Sequence, residues 1–198
     1  MDDDGQPIED KEASGKLCIG FPWPSMARTI YGDHQRYIDT YFSAYPGFYF
    51  TGDGADRDAE GNYRITGRVD DVIIVSGHNL GTAPIEDAIN EHDSVAESAI
   101  VGIPHDIKGN ALCAFVVCSG DEKVVTLSEV NALISAKVGP IAKLDVLYVV
   151  KGLPKTRSGK IMRRILRKVA QGQFTNLGDI STLLNPDIVD SIIQTVRD

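Results

Sequence analysis

The stretch Val72-Ile73-Ile74-Val75-Ser76-Gly77-His78-Asn79-Leu80-Gly81-Thr82 is where the chain changes character. Four successive β-branched residues bounded by Ser76-Gly77 read as a strand closed by a tight turn. Thr82 then suits an N-cap and Pro84 a first helical turn, while Ile85, Ala88 and Ile89 form a stripe at i, i+3 and i+4. The spacing predicts a helix ending near His92, so a new domain begins at about residue 72.

Downstream the alternation continues. Strands are expected at 97–101 and 111–118. Thr126-Leu127-Ser128-Glu129 is a capping box that opens a helix with Leu127, Val130, Leu133 and Ile134 inward, and Gly139-Pro140 stops it. A strand at 146–150 leads through a basic loop into a helix over about 161–171, and residues 173–198 read as a polar, partly helical tail. Upstream, residues 1 to about 70 are rich in Gly, Pro and aromatics and carry short strand-like pieces. Asp58-Ala59-Glu60-Gly61-Asn62 has hairpin-tip chemistry, which predicts one antiparallel pair across 54–67. The fold class that follows is α+β.

Composition narrows the function classes. The chain has 198 residues, 42% apolar and 24% charged, with a formal net charge of −8. An even negative field would repel nucleic acid and anionic membranes. Eight of the twenty basic residues nevertheless lie between Lys151 and Ala170 with no acidic residue among them, a local patch of opposite sign. The three cysteines, Cys18, Cys113 and Cys118, lack metal-ligand spacing and read as reduced thiols. The acidic start, Met1-Asp2-Asp3-Asp4, is unlike a signal peptide, and no apolar run is long enough to span a bilayer. A soluble, cytoplasmic protein is the expectation.

The basic patch holds the most informative motif, Leu153-Pro154-Lys155-Thr156-Arg157-Ser158-Gly159-Lys160. A glycine-containing loop with three cations just before a helix suits phosphate. Ser158 and Gly159 can offer backbone N–H groups, the helix start adds partial positive charge, and Lys160 brings a mobile ammonium. It is not a Walker A loop, because the glycine spacing is wrong and Ile161 stands where a Ser or Thr is required. By composition alone, a solvated basic loop or a nuclear-import signal fits equally well.

Three further features bear on chemistry. Asp53, in Tyr49-Phe50-Thr51-Gly52-Asp53, can accept from two vicinal hydroxyls, as on a ribose, or can simply be a turn aspartate. Arg68 and Asp70, in Ile65-Thr66-Gly67-Arg68-Val69-Asp70-Asp71, can serve a ligand or pair with each other. Gly77 allows close backbone approach, or serves the geometry of the turn alone.

The order of residues 153–160 resembles the last core motif of acyl-adenylate-forming enzymes. The continuation Ile161-Met162-Arg163-Arg164-Ile165-Leu166-Arg167-Lys168 and the tail segment Asn176-Leu177-Gly178-Asp179-Ile180-Ser181-Thr182-Leu183-Leu184 narrow the resemblance to AMP-forming acetyl-CoA synthetases. The blocks at 49–53, 65–71 and 72–82 are similar to that family in the same order and spacing, and Trp23 and Tyr31-Gly32-Asp33-His34 also match. The resemblance covers nearly the whole chain.

It implies that residues 1–69 end a large adenylating domain as a remnant β-barrel, that 70–71 are a hinge, and that 72–172 form a C-terminal lid. It implies ATP/AMP, coenzyme A and Mg2+ as cofactors, with small-molecule substrates. Lys160 would neutralise charge between an attacking carboxylate and the α-phosphate, and its acylation would cancel that charge. Asp53 and Arg68 would hold ribose or phosphate, and Asp70 would be the pivot. Ser76 and Gly77 would line the passage for the pantetheine arm of coenzyme A. The family usually has Arg at the position of Asn79, towards the ATP phosphates, and an Arg for the coenzyme A 3′-phosphate at the position of Ser135, where Lys137 is the nearby cation. A magnesium site would use Asn90, His92 and Val95, mostly through main-chain oxygens, although a lone His at a helix end is more often a cap.

The family's upstream phosphate loop, adenine segment and acid pocket are not in this sequence, so the expectation is that the chain does not catalyse alone and works with that missing domain. Two other classes compete: a non-catalytic module binding coenzyme A or a protein partner, and a nucleic-acid binder using residues 157–168. The apolar spacing within 161–169 argues against the latter.

Overall fold

The computed structural model describes residues 1–2, 4–120 and 125–198. The chain divides into two compact units, Met1–Val72 and Ile73–Asp198.

In the first unit, β1 (Ala13–Ile19), β2 (Tyr49–Arg57) and β3 (Tyr63–Arg68) form a three-stranded antiparallel sheet in the order β1-β2-β3. The predicted hairpin is present and longer, running from Arg57↔Tyr63 at the tip to Asp53↔Arg68 at the base, with an irregularity between Gly54 and Ala55. Its tip is held by Asp58, whose carboxylate accepts from the N–H groups of Glu60 and Asn62. These bonds, with the Asn62 side chain foremost, hold the Asp58 carboxyl below its ordinary range.

The first unit also contains a helix the sequence did not announce, α1 (His34–Tyr41). Only Tyr37 in it is buried, so it has no apolar stripe, and it is started by the Asp33 carboxylate accepting from the Arg36 N–H. Its aromatic residues close on the sheet, where Tyr41 stacks on Tyr49 and Trp23 meets the same ring edge-on.

In the second unit the sheet is built around β7 (Gly109–Cys118). Its partner on one side is β6 (Val95–His105), antiparallel. Its other edge carries β8 (Val146–Val149), parallel, and at Gly109 the end of β4 (Ile73–Val75). β4 continues into β5 (His78–Leu80).

Helices cover both faces. α2 (Thr82–Asn90) and α3 (Leu127–Lys137) enclose one core with Leu112, Ala114 and Val116, while α4 (Arg163–Ala170) and α5 (Ile188–Arg197) enclose the other with Cys113 and Phe115. Burial on both faces is why residues 111–116 read as an unbroken apolar run rather than an alternation.

Several sequence expectations meet a different local outcome. Thr82 is not the N-cap of α2: that position falls to Gly81, and Thr82 is already helical and buried. The capping box of α3 is present as read, but Leu133 is only half-buried, because α3 faces its core through Val130 and Ile134. α4 starts at Arg163 rather than near Ile161, because Ile161 bridges back to Lys155. Residues 173–198 read as a polar tail, yet Phe174, Leu177, Leu183, Val189 and Ile192 pack into the second core.

Candidate functional site

In the first unit the base of the β2–β3 hairpin gathers three of the candidate residues. Asp53 and Arg68 face each other across the strands, and the Arg68 guanidinium lies 3.5 Å from Asp53 Oδ1. The same guanidinium donates from Nε to Asp70 Oδ1 at 3.0 Å and from Nη1 to the Thr51 carbonyl at 3.1 Å. Gly52 makes this possible. Its φ is +80°, and a Cβ there would fall 2.6 to 2.8 Å from the guanidinium atoms. Asp53 is held by its own N–H donating to Thr51 Oγ1, and that hydroxyl donates to the Leu17 carbonyl. A half-buried carboxylate with acceptor capacity to spare stands beside an exposed guanidinium.

In the second unit Ser76 and Gly77 are the two central residues of the β4–β5 hairpin, with φ of 49° and 83°. Positive φ at both positions is the type I′ geometry, which matches strand twist and requires a residue such as glycine. No atom of the described residues lies within 4 Å of a Cβ built on Gly77, so the turn presents open backbone. The hairpin is attached to the sheet beside it. The Ser76 N–H donates to the Lys108 carbonyl, and the Asn110 carboxamide donates to the Ile74 carbonyl. Lys108 itself is paired with Asp145. Asn79 is exposed on β5, opposite Ile74.

Lys160 lies on a small hairpin closed by the Lys155↔Ile161 bridge. The Thr156 N–H donates to the Lys160 carbonyl, and the Lys160 N–H donates to Thr156 Oγ1. Two details of the phosphate-loop reading change here. The Gly159 N–H is committed to the Thr156 carbonyl, and α4 begins beyond Met162, outside the reach of its dipole on this loop.

Four of the cations around Lys160 are tied down, while Arg157 is exposed on the same loop. Lys155 pairs with Glu97, Arg163 makes two hydrogen bonds to Glu86, Arg164 donates to the Asp179 carbonyl and Lys168 to the Asn176 carbonyl. The Lys160 ammonium is exposed and makes no hydrogen bond or ion pair among the described residues.

Lys137 forms an exposed pair with Glu91 at 2.7 Å, joining the end of α3 to the end of α2. Such a pair contributes little and yields readily to a competing anion. At the proposed cation site Asn90 Oδ1 accepts from Ser98 Oγ, His92 Nδ1 accepts from the Ser94 N–H, and the His92 carbonyl accepts from the Val95 N–H. The His92 imidazole therefore caps the turn, and only main-chain oxygens fit a hard cation there. Among the described residues no three His, Cys, Asp or Glu side chains cluster as a metal site.

Glu86, Glu97, Asn110, Asp145 and Arg163 hold the two loops, and none of them was found from sequence. The contacts that fasten the loops, Ile74 with Asn110, Lys108 with Asp145, Glu97 with Lys155 and Glu86 with Arg163, span 36 to 77 residues, which no local pattern reports.

Comparison with known proteins concerns the chain and its fold. Residues 84–160 match the AMP-binding enzyme C-terminal domain. Over 200 residues the chain is 55% identical to the human protein "Acetyl-coenzyme A synthetase 2-like, mitochondrial", covering 100% of this chain and 29% of that one. It is 56% identical to an acetyl-coenzyme A synthetase of Leptospira biflexa over 98% of this chain and 30% of that protein. Acetoacetyl-CoA synthetase from Streptomyces lividans, a solved structure, shares the fold with a TM-score of 0.81 at 25% identity, over 99% of this chain and 30% of that one. The chain thus corresponds to the C-terminal part of acetyl-coenzyme A synthetase-like proteins and spans about 30% of the length of the relatives it matches. No helix of the described residues is long and apolar enough to cross a membrane.

Proposed function

We propose that this chain acts as the C-terminal part of a cytoplasmic, AMP-forming acetate–CoA ligase, together with an adenylating domain that supplies the acid pocket. In that reaction a carboxylate oxygen attacks the α-phosphorus of Mg-ATP, releasing diphosphate and leaving acyl-AMP. The coenzyme A thiol, losing its proton, then attacks the acyl carbon and releases AMP. The observation that carries the reading is the Lys160 ammonium, exposed and without a partner among the described residues, on a loop flanked by the paired cations Lys155 and Arg163.

In this reading Lys160 meets the negative charge that builds between the carboxylate and the α-phosphate. Asp53 accepts from the ribose hydroxyls, and Arg68 steadies the nucleotide from the same hairpin. Asp70 is the residue at which the second unit turns between the two half-reactions. The open backbone at Ser76 and Gly77 accommodates the pantetheine arm, Asn79 offers a neutral donor towards phosphate, and Lys137 exchanges Glu91 for a phosphate of coenzyme A. Mg2+ enters with ATP, and no step is assigned to the carbonyls of Asn90, His92 and Val95.

The test separates the half-reactions. In the assembled ligase, Lys160→Ala is expected to lower acid-dependent ATP–diphosphate exchange by about two to three orders of magnitude, the weight of one preorganised charge in such a site. Thioester formation from supplied acetyl-AMP should continue. Equal loss of both refutes the assignment.

A second reading, a non-catalytic module that binds coenzyme A or a protein partner, is favoured by one observation: Asn79 is exposed and neutral at the position where the family resemblance implies a cation towards ATP phosphate. Calorimetric binding of coenzyme A without any exchange activity in the assembled ligase would support it.

A further inference from the structure

The loop that carries Lys160 is fastened on its outer side by residues that follow it by some thirty positions. The peptide just before the loop contains Pro154, which has no N–H and cannot complete a strand ladder. The Asn185 side chain fills that gap: its Nδ2 donates to the Leu153 carbonyl at 3.2 Å, and its Oδ1 accepts from the Lys155 N–H at 3.3 Å. A carboxamide has the donor and acceptor of a peptide group, so Asn185 stands in for a missing backbone partner on both sides of the proline. Asn131 does the same elsewhere, donating to the Leu144 carbonyl and accepting from the Leu144 N–H.

The neighbouring residues continue the strip. The Leu184 N–H donates to the Lys155 carbonyl at 2.8 Å, and Thr156 and Leu183 form a bridge. Leu183 is buried in the second core, which anchors the strip. On the inner side, Lys155 bridges to Ile161 and the Thr156 N–H closes on the Lys160 carbonyl. The segment 153–156 is therefore the middle of a three-layered ribbon whose outer layer is 183–185.

We propose that Asn185 is a positioning residue for Lys160: by bonding both sides of Pro154 it fixes the register of the hairpin that presents the ammonium. The functional half of this inference rests on the ligase reading above, and the structural half does not.

The structural half is tested by amide hydrogen exchange on this chain. Asn185→Ala is expected to speed exchange at the Lys155 and Thr156 amides by about tenfold, the loss of one to two net hydrogen bonds, while amides of Val130 and Ile165 in the two cores keep their rates. Asn185→Asp keeps the acceptor and loses the donor, so it should fall between the two and guards against failure of the Ala variant to fold. Unchanged exchange at Lys155 and Thr156 in both variants overturns the inference.

The functional half is tested in the assembled ligase. Asn185→Ala should lower kcat for ATP–diphosphate exchange, leave KM for ATP unchanged and spare thioester formation from acetyl-AMP. Loss of both half-reactions together, or loosened amides with undiminished exchange activity, also overturns it. If the unaltered assembly gives no ATP–diphosphate exchange, the ligase reading fails and the amide measurement alone decides the role of Asn185.

Discussion

Glu86 and Arg163 are 77 residues apart in sequence and joined by two hydrogen bonds, Nε to Oε1 at 3.2 Å and Nη2 to Oε2 at 2.7 Å. Glu86 is buried on α2 and also accepts from the Ile100 N–H, so one carboxylate ties α2 and β6 to the first residue of α4. Arg163→Met leaves that carboxylate buried without its cation and is expected to destabilise the second unit by about 3–5 kcal/mol. Adding Glu86→Gln, which removes the charge and keeps an acceptor for Ile100, should recover part of the loss. A denaturant double-mutant cycle measures the coupling, and strict additivity contradicts it.

Gly52 and Gly77 both have positive φ but differ in what surrounds them. A Cβ on Gly52 meets the Arg68 guanidinium, whereas one on Gly77 meets nothing within 4 Å among the described residues. Gly77→Ala should cost about 1–2 kcal/mol from backbone strain alone. Gly52→Ala adds displacement of Arg68, so nucleotide affinity in the assembled ligase should fall with Gly52→Ala and hold with Gly77→Ala. Paired thermal melts and nucleotide titrations check the contrast.

Burial pushes the Cys113 thiol up to about 12, and its side chain is sealed between the sheet and α4. At pH 8 the thiolate fraction is roughly one in ten thousand. A chromogenic disulfide reagent should therefore titrate no more than Cys18 and Cys118 in the native chain and all three thiols in denaturant. Rapid native reaction of Cys113 would contradict the packing.

The capping box of α3 supplies a pH dependence. The Thr126 hydroxyl, and after it the Thr126 N–H, hold the Glu129 carboxyl below its ordinary value of 4.5. A depressed folded value means the contribution is complete above 4.5 and is lost as pH falls through the lower, folded value. Glu129→Ala should melt below the unaltered chain at pH 7, with the gap narrowing in acid below that range. A gap that stays constant with pH would count against the ionic part of the cap.

Much of this protein is legible in the one-dimensional pattern because the forces that write it are local. β-Branched runs, a capping box and the turn chemistry of Asp58 to Asn62 each act within a few residues, so β3, α3 and the hairpin tip appear where the sequence places them. α1 and β5 did not, since an eight-residue helix with one buried side chain and a three-residue strand leave too little periodicity. The cation at position 160 could be named from its motif, but its freedom could not.

That freedom depends on which neighbouring charges find partners elsewhere in the fold. Glu97 takes Lys155, Glu86 takes Arg163, and backbone carbonyls at 179 and 176 take Arg164 and Lys168. Sequence by itself determined most of the elements, the family resemblance and the residue types available for chemistry. Only the tertiary structure decided which of those residues are spent on holding the fold and which remain exposed, because hydrogen bonds and ion pairs form between groups close in space and are blind to separation along the chain.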